Sequence, residues 1–207
     1  AQHLYCDIGA CYPALEEKYH KFTKLVGKEL LLCLFQKESS LQPDLPPNRF
    51  EAVGLGQMTP IAALDVEMNL LETVPEGTSL DDYLEMSDTL YQRMTPQEES
   101  DASPWSFQAT GSIEFLTLLL WRHRNMRDAL RRYGPIDVGW HYADNVLECE
   151  KCLKGCDQTT AKIQSGTDEK GNPEYRECKA PEMDCIKHCF SDMERRQREF
   201  NEVRQSQ

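Results

Sequence analysis

Glu38-Ser39-Ser40 opens, and Ala52-Val53-Gly54-Leu55-Gly56-Gln57-Met58-Thr59-Pro60 closes, the stretch that decides how this 207-residue chain folds. Ahead of it, Leu15, Tyr19, Phe22, Leu25, Val26, Leu30 and Cys33 recur at three- and four-residue spacing. That period predicts an amphipathic helix over residues 14–36, with Glu38 at its C-terminal end. Pro43, Pro46 and Pro47 forbid continuation, because proline lacks an amide donor and restricts its predecessor, so a loop is expected to about Phe50. Gly54-Leu55-Gly56-Gln57 reads as a flexible turn. Thr59-Pro60 then supplies an N-cap followed by proline at the first helical position, which opens a second helix to about Leu71.

Downstream, Ile113, Phe115, Leu116, Leu119 and Leu120 mark a buried helix that emerges into water at Arg122, His123 and Arg124. Asn125 or Asp128 caps the next helix, which Gly134-Pro135 stops, and a last helix is expected over Asp137–Leu147. In the tail, Cys152/Cys156 and Cys185/Cys189 are spaced so that each pair shares one helix face. In an antiparallel hairpin this favours Cys152 with Cys189 and Cys156 with Cys185. Cys149 with Cys178 and Cys6 with Cys11 would complete the set, leaving Cys33 as the candidate free thiol, although connectivity stays open at this level. Gly166 and Gly171-Asn172-Pro173 mark turns that would close a small strand hairpin between the two helices. The expected fold class is mainly α (α+β). A helical domain is expected over residues 1–148, and a cysteine-rich extension, a disulfide-stapled helical hairpin, over residues 149–207.

Nine cysteines, six of them between Cys149 and Cys189, point to disulfides formed in an oxidising compartment. Cys149-x-x-Cys152 also resembles half a metal knuckle, so zinc is the competing reading of the tail. The histidines show no ligand spacing. No export signal begins the sequence and Ala1 is not methionine, which leads us to expect a mature secreted or periplasmic form with its signal peptide removed. The net charge is −12, and between Asp65 and Asp101 eleven carboxylates face Arg93 alone. Nucleic acid, a polyanion, is therefore an unsuitable partner. No apolar run approaches membrane-spanning length.

With these motifs in order and at suitable separation, residues 15–148 resemble soluble lytic transglycosylases and goose-type lysozymes. Gly111-Ser112-Ile113-Glu114-Phe115-Leu116 is similar to that family's glycine-alanine-x-x-tyrosine-leucine helix, and Ala129-Leu130-Arg131-Arg132-Tyr133-Gly134 to its alanine-tyrosine-asparagine-alanine-glycine segment. Tyr142-Ala143-Asp144-Asn145-Val146-Leu147 fits the closing helix. The resemblance implies a lysozyme-like helical domain, Glu38 as catalytic acid, and Ser39, Gln57, Met58 and Tyr133 along the substrate. It implies no metal and no cofactor. Gly134 follows Tyr133 directly, so the family's asparagine contact is missing; Asn48 stands where a serine is frequent, and Glu51 where a small residue is common.

The chemistry suits these positions independently. A glycosidic oxygen leaves poorly until protonated, so the enzyme needs a carboxylic acid that keeps its proton near neutrality. Glu38 follows Leu31, Leu32, Leu34 and Phe35, and apolar surroundings raise a carboxyl pKa. The glycines at 54 and 56 let backbone approach a sugar. A transglycosylase needs one carboxylate and forms a 1,6-anhydro ring; a hydrolase needs a second, for which Glu51 leads Asp44 and Glu114. The expected activity is cleavage of the peptidoglycan β-1,4 muramyl-glucosaminyl bond by a monomer. The acidic segment suggests a preference for de-N-acetylated, cationic glycan. The alternatives are a non-catalytic secreted protein that binds peptidoglycan or a chitosan-like glycan, and a tail that serves as a recognition or anchoring module.

Overall fold

The computed structural model describes residues 1–9, 26–62, 65, 111–113, 115, 116, 119, 120, 123 and 125–206. Among the described residues the chain is mainly α with one small sheet. In chain order come α1 (residues 2–9), α2 (Lys28–Ser39), α3 (helical positions between 111 and 123), α4 (Met126–Tyr133), α5 (Trp140–Lys154), β1 (Gln158–Thr167), β2 (Pro173–Pro181) and α6 (Met183–Gln205). A short helical turn begins at Pro60.

Helix α2 is the central rod. Leu30, Leu31, Leu32, Cys33, Leu34 and Phe35 are all fully buried, so this segment is enclosed on every side rather than on one stripe. Six consecutive apolar residues cannot all face one neighbour at 3.6 residues per turn; they require partners all around. α2 begins at Lys28, after Gly27 in extended conformation, and reaches Ser39, three residues beyond the expected end; Val26 and Gly27, which fall inside the expected helix, are not helical. Ser40 closes it in the left-handed region, its amide reaching Gln36 O, and Leu41 N reaches Phe35 O. The part of the expected helix before Val26 lies outside the described residues, as does the acidic segment after Asp65.

α5 crosses α2 and carries the buried stripe Tyr142, Val146, Cys149 and Leu153. It starts at Trp140, after Gly139 with φ +58°, and runs to Lys154, so the expected Asp137–Leu147 helix is shifted toward the tail. Residue 148, the expected domain limit, falls inside this helix, and one hydrophobic core takes side chains from both sides of it. α4 packs on α5 and is capped by Asn125, whose side chain accepts from Asp128 N at 2.8 Å.

β1 and β2 form an antiparallel hairpin that turns its Ala161, Ile163 and Ala180 faces inward. Its turn is held by Asp168, which accepts from Lys170 N and Asn172 N, each at 2.8 Å, while Gly171 takes φ +79°. α6 returns along α5 through Ile186, Cys189, Phe190 and Met193. Two of its cysteines make the expected staple, Cys152–Cys189 and Cys156–Cys185.

The other two bridges correct the sequence expectation. Cys33 is not free: it is bonded to Cys149, tying α2 to α5 at the core. Cys6 is bonded to Cys178 rather than to Cys11, which fastens α1 to β2 alongside Asp7–Arg176 at 2.5 Å and Gln2 Nε2 to Pro181 O at 2.9 Å. Short-range pairing within 6–11 lost to a bond across 172 residues because α1 docks on the hairpin. Cys149 and Cys152 are thus in separate disulfides, which removes the thiolates that a zinc knuckle needs. The close grouping of Cys156, Cys185 and Cys189 sulfurs has the same cause, two neighbouring bridges. Cys11 lies outside the described residues. Among the described residues, no helix is long and apolar enough to cross a membrane.

Candidate functional site

Glu38 occupies the last turn of α2, where the fully buried run Leu30–Phe35 gives way to Gln36 and Lys37. Protein surrounds its carboxyl on nearly every side, while part of the side chain still meets solvent. Burial disfavours the charged form and pushes the carboxyl up to about 7, against the opposing pull of a hydrogen bond from Tyr142 and the positive charge of Lys37. The Tyr142 hydroxyl donates to Glu38 Oε1. Its ring is buried from the first turn of α5, and burial, followed by the Glu38 charge, holds the phenol far above its ordinary range.

The Tyr142 ring lies over the backbone of Gly134. A Cβ at residue 134 would stand 2.3 to 2.6 Å from three ring atoms, which no side chain tolerates. The glycine that takes the place of the expected asparagine is therefore the space in which Tyr142 rests.

The glycine-rich loop is a tight β-turn structure. Val53 and Met58 exchange both backbone hydrogen bonds at 3.0 Å, and the four residues between them turn with Gly54 at φ +72° and Gln57 at φ +49°. Gly56 is pressed beneath α3 and α4: a Cβ there would be 1.8 Å from Ser112 Oγ and 2.5 Å from the Tyr133 hydroxyl. Tyr133 donates to Gly56 O at 2.8 Å and lies 3.2 Å from Ser112 Oγ and 3.6 Å from Met58 Sδ. Its phenol too is raised, by burial first and then by the charge of Glu38.

Gln57, Met58 and Tyr133 line one open cleft of about 400 Å³, with Thr59, Phe115, Arg132 and the exposed Ile61 and Ile136. The structure thus brings together three of the residues that the sequence proposed for substrate. Glu38 is not among the cleft's walls, although its charge is felt by Tyr133, which is. Met58 is buried. Gln57 donates to Gly54 O at 3.0 Å and is approached by Asn48 Nδ2 at 3.4 Å. Ser39 is buried, and its hydroxyl donates to Phe35 O at 2.9 Å, inside the helix.

Glu51 stands on the exposed Asn48–Ala52 turn with φ +59°, and Asp44 is also exposed. Asn48 organises that turn: its Oδ1 accepts from Phe50 N at 2.8 Å and Ala52 N at 3.2 Å. This is work that a serine at 48 could share only in part, having a single hydroxyl. Glu114 lies outside the described residues. Thr59 caps the following helical turn through Ala62 N at 3.2 Å, as its sequence position suggested.

In the sequence, Tyr142 reads only as the start of the closing helix. No neighbour in sequence points to its partner, because Glu38 lies 104 positions away. Lys37 was also missed, since a lysine beside a glutamate near a helix end is ordinary.

The chain matches no family model, no curated protein and no solved structure.

Proposed function

We propose that this protein cleaves the glycan strands of peptidoglycan at the muramyl-glucosaminyl β-1,4 bond, as a lytic transglycosylase or a lysozyme with a lysozyme-like helical domain. One observation carries the reading: the Glu38 carboxyl, raised to about 7 by burial, hydrogen-bonded by Tyr142 and electrostatically joined to Tyr133 at the edge of an open cleft. A carboxylic acid in that state holds a proton at neutral pH, as protonation of a glycosidic oxygen demands. After the bond breaks, the same group, now ionised, serves as base. In a transglycosylase it activates the muramyl 6-hydroxyl; in a hydrolase it works with a second carboxylate, for which Glu51 on its exposed turn is our candidate. Gln57 and the backbone of the Gly54–Met58 loop are suited to hydroxyl and acetamido groups, Met58 and Tyr133 to the apolar face of a sugar.

The charge of the Asp65–Asp101 segment extends the proposal to substrate preference: glycan with free, protonated amines would be drawn to it over the fully acetylated polymer. The four disulfides favour work in an oxidising, extracytoplasmic compartment, where the wall lies.

The test is digestion of native and chemically de-N-acetylated peptidoglycan by the wild type and Glu38→Gln, with products read by mass spectrometry. Anhydro-muramyl ends that vanish in Glu38→Gln establish a transglycosylase; reducing ends carrying one added water establish a lysozyme. Cleavage by Glu38→Gln at the wild-type rate overturns the assignment. Equal or faster digestion of the acetylated polymer removes the substrate preference.

A further inference from the structure

α6 leaves its last disulfide at Cys189 and continues for four more turns, to Gln205. Nothing in the staple requires that length. The continuation lies against the two elements that carry the acid and its phenol. Toward α2, Gln36 Nε2 donates to Glu194 Oε1 at 3.2 Å and Lys37 Nζ donates to Gln197 Oε1. Toward α5, Asn145 donates through Nδ2 to Met193 O at 3.0 Å and accepts through Oδ1 from Arg196 Nε at 2.8 Å, while His141 stacks on Phe200 with ring centres 3.9 Å apart. Every one of these contacts falls within one turn of Glu38 or Tyr142 along its own helix.

Resting on the reading of Glu38 as the acid, we propose that α6 belongs to the catalytic apparatus: Gln197 holds the Lys37 ammonium beside the Glu38 carboxyl, making Lys37 and Gln197 positioning residues for that acid. A lysine side chain on a helix surface is free to swing into water, where its charge is screened. Bonded to Gln197, it is kept near the Tyr142 ring, 6.0 Å from the centroid, and within electrostatic reach of Glu38. Its charge favours the carboxylate and so offsets part of the burial that favours the acid. The two together leave the group able both to give its proton and to stay ionised once it has done so.

The other groups facing this pair are Tyr142 and His141 on α5, Tyr133 on α4, and Glu194, Arg196 and Arg198 on α6. Arg196 opposes the charge on both Lys37 and His141. Its bond to Asn145 fixes where that opposing charge lies. A hollow of about 280 Å³ beside Lys37 and Gln197 admits water, which keeps the expected shift modest.

The test is carbon-detected NMR titration of the Glu38 carboxyl in the full-length protein, without substrate, its signal assigned by its loss in Glu38→Gln. Lys37→Met is expected to raise the Glu38 midpoint by about half a pH unit or more, and Gln197→Leu to raise it in the same direction by less. The double variant should move no further than Lys37→Met alone, because Gln197 acts only through the ammonium. Lys37→Arg, which keeps the charge, should stay near wild type. An unmoved midpoint in Gln197→Leu, or shifts that add in the double variant, overturns the proposal. Should Gln197→Leu lose helix by circular dichroism, Gln197→Asn, one methylene shorter, makes the same comparison. Because no substrate is present, these midpoints stand or fall separately from wall cleavage.

Discussion

The phenol of Tyr142 donates to the carboxyl of Glu38 across 104 residues of chain, from the first turn of one helix to the last turn of another. A buried acid beside a buried phenol is governed by opposed effects. Burial alone favours the neutral carboxyl. A hydroxyl that can only donate to the carboxylate favours the charged one, and Lys37 adds to it. Burial prevails, which places the acid near 7.

From this follows a pH dependence of stability. The unfolded chain ionises Glu38 near 4.3 while the folded chain keeps it protonated to about 7. Between these values the unfolded state loses a proton that the folded state retains, so stability is fully present below the lower value and falls as pH rises to the upper one. The loss is on the order of 3 kcal/mol. Glu38→Gln cannot ionise, and its amide oxygen still accepts from Tyr142. Thermal denaturation should show the variant gaining on the wild type from pH 5 to pH 8; parallel curves would contradict the burial of this carboxyl.

Activity should carry the same signature. If the protein cleaves wall glycan with Glu38 as its acid, as proposed, the rate declines above about 7. Tyr142→Phe removes a donor that stabilises the carboxylate, so the alkaline limb of the pH–rate profile moves to higher pH. A limb that moves to lower pH would show that the phenol serves the acid form.

Gly56→Ala and Gly134→Ala each insert a methyl group where a heavy atom already stands, against Ser112 and Tyr133 in one case and the Tyr142 ring in the other. Each is expected to cost roughly 1–3 kcal/mol or more, the range for overpacked cores. Chemical denaturation measures it. Ser112→Ala would not rescue Gly56→Ala, since the Tyr133 hydroxyl still blocks it at 2.5 Å.

The cysteine assignments are checked by a non-reducing digest. Peptides joining Cys6 to Cys178 and Cys33 to Cys149 are expected beside the two staple bridges. Cys33→Ala with Cys149→Ala should destabilise more than Cys156→Ala with Cys185→Ala, because it reopens a loop of 116 residues rather than 29. Chain entropy puts the difference at about 1 kcal/mol.

Local signals in the sequence translated well into structure. The Thr59-Pro60 start, the Asn125 cap, the Gly171-Asn172-Pro173 turn and the tail staple depend on residues a few positions apart, or on helix spacing alone. What failed depends on packing. The pairing of Cys6 and Cys33 follows from where α1 and α5 dock, which no spacing rule encodes. The same holds for Tyr142: its role comes from the crossing of α2 and α5, while its sequence neighbourhood reads as an ordinary buried stripe. Tyr133, by contrast, lies with Gln57 and Met58 on one cleft.

The Cys33–Cys149 bond also acts mechanically. Glu38 lies five residues beyond Cys33 on α2, and Tyr142 seven residues before Cys149 on α5, so the sulfur bridge and the acid–phenol bond are two rungs of one ladder. At 1.5 Å per residue the rungs are about 8–10 Å apart along stiff rails. Sliding one rail against the other far enough to part phenol from carboxyl would have to stretch a covalent bond. The resting place of the proton is therefore registered by a pair of sulfur atoms that never touch it.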